Sequence, residues 1–93
     1  MLNNTNTKKT PVYFIPGLAA GKEIFKYISL PEKLYDVHII EWIIPKKKET
    51  IKQYARRMAA FVKKTKPILI GISFGGVMAQ EMNEFLDLKK LII

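Results

Sequence analysis

The fold of this chain is decided at residues 67–76, which read PILIGISFGG. The first part, up to Ile72, is a continuous apolar run, as expected for a parallel β-strand that is covered on both faces. Beyond Gly76, apolar residues recur at helical spacing, at Val77, Met78, Met82, Phe85 and Leu86. The sequence therefore predicts a strand that runs into a helix through a tight turn centred on Ser73.

Ser73 has a glycine two residues away on either side, which is the sequence form of a nucleophile elbow. In such a turn the serine hydroxyl stands exposed above the carboxyl edge of a sheet, where a substrate reaches it. Gly71, Gly75 and Gly76 supply the small residues that so tight a turn requires. The alternative is an ordinary strand-to-helix loop in which Ser73 only caps the helix.

A second loop of small residues follows the predicted strand at 12–15, at Pro16-Gly17-Leu18. Loops at the carboxyl ends of parallel strands are the usual ligand-binding positions of an open α/β sheet. Acyl transfer needs two backbone N–H groups aimed at the oxygen that becomes negative in the transition state. The candidates are the amides of Leu18 and Phe74, while Pro16, which has no N–H, only shapes the loop.

Together these residues resemble the N-terminal half of the α/β-hydrolase superfamily, over residues 11–93. The resemblance implies an α/β fold, a three-layer sandwich with a parallel sheet, as an incomplete α/β-hydrolase fold behind a polar tail at 1–10. It also implies ester or thioester hydrolysis of a small acyl substrate through an acyl-enzyme at Ser73, without metal or cofactor. Pro16 departs from the family pattern, because a histidine often stands at that position.

The family's acid and histidine follow the serine along the chain, but no histidine follows Ser73. His38 is the only histidine, and near the start of a strand at 37–43 it lies roughly 15–20 Å from the carboxyl edge. We therefore expect it to be structural, and we expect the acids Glu81, Glu84 and Asp87 to form a solvated helix face. The chain alone is expected to be inactive, an N-terminal fragment truncated within a strand, with the acid and histidine in a missing C-terminal half.

The remaining elements follow from the same patterns. We predict strands at 12–15, 37–43, 68–72 and 89–93, and helices at about 21–29, 50–64 and 75–86. Such alternation favours a parallel sheet with helices on both faces. The resemblance implies the strand order second, first, third, fourth, with the site between the first and the third.

The net charge of +8 is concentrated in residues 46–66, where nine lysines and arginines accompany Glu49 as the only acid. Within this segment Ile51, Tyr54, Ala55, Met58 and Val62 form an apolar stripe, and Thr50 with Gln53 fits a capping box. A solvated basic face is the expected interpretation. The alternative function is a non-enzymatic α/β binding module that uses this basic helix for anionic partners; no base-reading motif for nucleic acid accompanies it.

Other function classes have less support from the sequence. Residues 71–76 match neither the Gly-x-Gly-x-x-Gly fingerprint nor a P-loop, so a nucleotide-binding domain ranks last. The chain has no cysteine, no secretion signal and no apolar run of the roughly 20 residues that span a bilayer. These features favour a cytoplasmic location.

Overall fold

The computed structural model describes residues 8–18, 23 and 29–93. Within these ranges the elements, in chain order, are β1 (Thr10–Ile15), β2 (Tyr35–Ile39), α1 (Ile51–Ala59), β3 (Ile68–Gly71), α2 (Phe74–Met82), a single 3₁₀ turn (Asn83–Phe85) and β4 (Lys90–Ile92). The predicted helix at 21–29 falls largely outside the described residues.

The four strands form one sheet in the order β2-β1-β3-β4, and every neighbouring pair is parallel. The predicted strand order and the α/β class are therefore confirmed. In the register of the two central strands, Ile15 at the end of β1 lies level with Gly71 at the end of β3. The loops that follow these two strands consequently leave the sheet side by side, at its carboxyl edge.

The main core lies between the sheet and the two described helices. Tyr13, Ile15 and Leu69 point to this side and pack with buried residues of both helices, such as Met58 and Met82. Both helices therefore cover the same face of the sheet. Alternate residues of β1, Val12 and Phe14, are buried as well. The predicted third layer depends on the helix at 21–29, outside the described residues.

Strand β2 was predicted too far toward the C-terminus. The strand begins at Tyr35 and ends at Ile39, not at 37 and 43. Its last bond to β1 is made by the Ile40 amide to the Phe14 carbonyl. Pro16 then ends β1, because it has no N–H with which to extend the ladder, so the residues after Ile40 have no strand to pair with. β1 itself begins two residues earlier than predicted, at Thr10.

Helix α1 is shorter than predicted, since it ends at Ala59 and not at residue 64. The next amides bond three residues back, as in Ala60 to the Arg57 carbonyl, which tightens the final turn. The amides of Lys63 and Lys64 then donate to the Tyr13 hydroxyl, at 3.2 and 3.3 Å. A tertiary contact from β1 therefore takes over where the helix stops.

The predicted apolar stripes of the two helices are largely confirmed. The capping box at Thr50 and Gln53 is present, and Tyr54, Ala55 and Met58 are buried. The prediction that Ile51 and Val77 belong to these stripes was wrong, because their exposed fractions are 50% and 45%. Helix α2 spans 74–82, so the predicted end at residue 86 was also wrong. No helix in the described part of the chain is long and apolar enough to cross a membrane.

Candidate active site

Ser73 occupies the turn between β3 and α2 in a conformation that few non-glycine residues adopt. Its φ is 59° and its ψ is −127°, outside the regions that L-residues favour. The side chain is exposed. The residue takes the N-cap position of α2, but its hydroxyl makes no capping hydrogen bond. The alternative in which Ser73 serves only to cap the helix has no support from this geometry.

Two glycines allow the helix to start so close to the sheet. A Cβ on Gly71 would lie 2.6 Å from the Gly76 Cα, and a Cβ on Gly75 would lie 2.8 Å from the Pro16 carbonyl oxygen. Real side chains do not tolerate such distances to backbone atoms. The first turn of α2 is therefore packed directly against the ends of β3 and β1, which holds Ser73 in its strained position.

The loop after β1 passes beside Ser73. A Cβ on Gly17 would lie 3.7 Å from the Ser73 Oγ, so the two loops are in van der Waals range. The Ile72 amide donates to the Ile15 carbonyl at 3.0 Å, which ties the turn to the end of β1. The structure thus brings Gly17 next to Ser73, as the sequence predicts for these two loops.

Some backbone amides in the two loops beside Ser73 already donate a hydrogen bond, whereas others do not. Gly75 donates to the Ile72 carbonyl at 2.9 Å, and Gly76 donates to the Ser73 carbonyl at 2.8 Å. Within the described ranges the amides of Phe74 and Leu18 donate to no acceptor. These two are the amides that the sequence assigns to an oxyanion, and the first turn of a helix also favours negative charge.

Trp42 is a site residue that sequence reasoning missed, because it was placed inside the strand at 37–43. It lies beyond the end of β2, and its indole Nε1 donates to the Pro16 carbonyl at 2.9 Å. Its ring stacks on Phe74, with centroids 5.7 Å apart, and lies 6.1 Å from Tyr54. Trp42 thereby fixes the loop that carries Leu18. The one signal that the sequence offered was that Trp42 is the chain's single tryptophan.

An apolar cavity of about 280 Å³ opens beside these loops. Its lining includes both residues with free amides, the aromatic rings that stack around Trp42, and the start of α1. The lining residues are Leu18, Trp42, Ile43, Pro45, Glu49, Thr50, Ile51, Tyr54, Phe74 and Met78. A ligand in this cavity would contact Leu18 and Phe74, whose amides have no acceptor within the described ranges.

His38 lies outside this site. It is near the end of β2 and not near the start, so the stated ground for excluding it was wrong. The conclusion still holds, because His38 lies level with Leu69 through Tyr13. Ser73 lies four residues beyond Leu69, and β3 lies two strand spacings from β2. Ser73 is therefore roughly 15 Å from His38. The His38 Nε2 donates to the Asp36 Oδ2 at 2.8 Å, and its ring stacks on Tyr13 at 4.7 Å.

The acids that follow Ser73 also have other partners. Lys52 on α1 contacts Glu84 and lies 3.7 Å from Glu81. Lys66 lies 4.0 Å from Asp87. All three carboxylates are at least partly exposed, as expected, but only Glu81 lies on α2, because that helix ends at Met82.

Glu49, one of the residues that line the cavity, is held by several hydrogen bonds. Both of its oxygens accept from the Arg57 guanidinium, at 2.6 and 2.7 Å, and one also accepts the Lys46 amide. The Arg57 hydrogen bonds hold the pKa of this carboxyl at about 2. Arg57 also donates to the Ile44 carbonyl at 3.0 Å. The charge of Arg57 is therefore paired, so the predicted solvated basic face does not include every cation of residues 46–66.

In the described part of the chain, no group of three or more His, Cys, Asp and Glu side chains is arranged to hold a metal ion. Comparisons with protein-family models, with curated proteins and with solved structures gave no match.

Proposed function

We propose that this chain carries the nucleophile and oxyanion half of a serine hydrolase site of the α/β-hydrolase type. Ser73 Oγ attacks the carbonyl carbon of an ester or thioester, and the amides of Leu18 and Phe74 hold the oxygen that becomes negative. The bond to the leaving alcohol or thiol then breaks, and an acyl-enzyme at Ser73 remains. Water releases the acid in a second step.

One observation carries the proposal: Ser73 is exposed and strained, and its hydroxyl does not cap the helix that follows. Strain of this kind costs of order 1–3 kcal/mol and persists where the surrounding structure enforces it. A serine that served only to begin a helix would adopt an extended backbone and bond the next turn. The amides of Phe74 and Leu18, which have no acceptor among the described residues, support the same assignment.

The proposal assigns no general base to this chain. The sequence contains one histidine, and His38 is bonded to Asp36 far from the elbow. A serine hydroxyl without a base is a weak nucleophile. We therefore propose that the acid and the histidine come from residues outside this sequence, and that the chain alone turns over little substrate.

The test supplies the base from solution. Added imidazole accepts the Ser73 proton, p-nitrophenyl butyrate donates the acyl group, and p-nitrophenolate leaves. Ser29 is a built-in control, because it is the only other serine and is also exposed. Peptide mass spectrometry should show butyryl ester on Ser73 at least about tenfold above Ser29, as expected where preorganised donors stabilise an oxyanion.

Two further results complete that experiment. Hydroxylamine should remove the adduct, because it cleaves esters and leaves butyrylated lysines intact. The Ser73→Ala variant should lose the adduct while Ser29 reacts as before. Equal acylation of Ser29 and Ser73 would contradict the proposal.

The alternative, a binding module that uses the basic helix, has less support. Arg57 is paired with Glu49, and Lys52 is shared between Glu81 and Glu84. The lysines at 46–48 are exposed and are the ones that such a module would use. Salt-sensitive binding of a polyanion that is lost on changing all three to glutamine, without preferential acylation of Ser73, would favour the alternative.

A further inference from the structure

The two aromatic side chains with polar groups in the wall of the apolar cavity already have hydrogen-bond partners among the described residues. The Trp42 indole N–H is bonded to the Pro16 carbonyl. The Tyr54 hydroxyl accepts the Ile43 amide at 2.9 Å and donates to the Ile43 carbonyl at 2.6 Å. The other two polar side chains of the lining, Glu49 and Thr50, also make hydrogen bonds within the protein.

Glu49 lines the cavity, yet Arg57 and the Lys46 amide satisfy its carboxylate. The Thr50 hydroxyl accepts the Gln53 amide at 3.1 Å, within the capping box of α1. A polar ligand would therefore lose its hydrogen bonds to water on entry and gain few in return, which is unfavourable. Among the donors left at this cavity are the amides of Leu18 and Phe74, which lie at its end beside Ser73.

We propose that this cavity binds an uncharged, apolar acyl chain whose carbonyl oxygen lies at the amides of Leu18 and Phe74. This inference rests on the proposed function and adds the substrate class to it. At about 280 Å³ the cavity is a little smaller than the roughly 300–1,000 Å³ of typical small-molecule sites, so it suits a short acyl chain better than a drug-sized ligand. Charged or sugar-like acyl groups are excluded by the apolar wall.

The chain reports on this cavity directly, because Trp42 is its only tryptophan and forms part of the wall. Titration with butan-2-one, hexan-2-one and octan-2-one should change the tryptophan fluorescence. These ketones place a carbonyl at the head of an alkyl chain but transfer no acyl group. We expect affinity to rise about fourfold for each added methylene, the value of burying it in an apolar site.

A matched pair of variants locates the binding. Ile51 lines the cavity, whereas Ile44 is a neighbouring isoleucine that is 87% exposed and does not. Ile51→Asp should weaken octan-2-one binding several-fold, because it replaces apolar surface of the cavity wall with a charged group that an alkyl chain contacts unfavourably. Ile44→Asp should leave it unchanged. The aspartate of the Ile51→Asp variant lies in the first turn of α1, where negative charge is favourable, and Ile44 is largely exposed. Circular dichroism should therefore show both variants folded.

The outcomes separate the two proposals. Binding that does not depend on chain length, or that falls equally in both aspartate variants, would overturn the acyl-chain assignment. The titration is repeated with Ser73→Ala, where binding should persist, because the cavity does not include that side chain. If binding persists there while Ser73 is acylated no better than Ser29, the cavity assignment holds and the hydrolase proposal fails.

Discussion

At the residue scale, the elbow depends on the absence of a side chain at Gly75. A methyl group there would lie 2.8 Å from the Pro16 carbonyl oxygen and closer still to the Ile15 carbonyl. Both obstacles are backbone atoms at the end of a central strand, which cannot move away cheaply. We expect Gly75→Ala to lower the free energy of unfolding by about 3 kcal/mol, measured by urea denaturation.

Gly17→Ala is the matched control for this prediction. Its added methyl group would lie 3.4 Å from the Ser73 Cβ, which is ordinary van der Waals contact. The loss of stability should stay below about 1 kcal/mol. If the two variants were equally stable, the close packing of Gly75 against β1 would be contradicted.

At the scale of a single element, α1 begins with a reciprocal cap. The Thr50 hydroxyl accepts the Gln53 amide, and the Gln53 side chain accepts the Thr50 amide at 2.9 Å. Thr50→Ala removes the first of these bonds, and we expect a loss of about 1 kcal/mol in unfolding free energy. Thr65 is also exposed but lies outside the helices. Thr65→Ala should therefore change stability by much less, and a comparable loss in both variants would count against the cap.

The loop before α1 is joined to that helix by a pH-dependent contact. The pKa of Glu49 is held at about 2 by Arg57, below the ordinary value for a glutamate in an unfolded chain. A lowered folded-state pKa means that the stabilisation is present above the unfolded pKa and is lost as pH falls through the folded one. Urea unfolding should therefore show stability falling between about pH 4.5 and pH 2.

Glu49→Gln gives the control for this contact. The variant keeps the side-chain shape but has no carboxylate to titrate, so its stability should depend less steeply on pH over the same range. It should also be less stable at neutral pH, because Arg57 loses its partner. An unchanged pH dependence would show that Glu49 does not contribute as described.

At the scale of the whole molecule, the sheet has a protected centre and an exposed edge. β1 pairs with strands on both sides, and four of its residues are buried. β4 is three residues long, pairs only with β3 and buries none of its residues fully. Hydrogen exchange by NMR should show the slowest amides in β1 and at Leu69, and much faster exchange in β4. Equal protection of the two strands would contradict this order of local stability.

The elements that the sequence located best are those whose signals are local. The apolar run at 68–72 and the glycines around Ser73 fixed β3, the turn and the start of α2 to within one residue. The capping box fixed the start of α1 in the same way. Errors arose at ends set by distant residues, since Pro16 limits β2 and the Tyr13 hydroxyl takes the amides that follow α1.

By itself the sequence determined the alternation of strands and helices, the elbow at Ser73 and the two loops that meet there. Each is encoded in a few adjacent residues, where glycine spacing and apolar periodicity act directly on the backbone. Only the tertiary structure decided that Trp42 anchors the Pro16 loop and that Arg57 forms an ion pair with Glu49. It also decided that an apolar cavity opens beside the free amides. These contacts join residues that are far apart along the chain, and their partners are chosen by the register of the sheet.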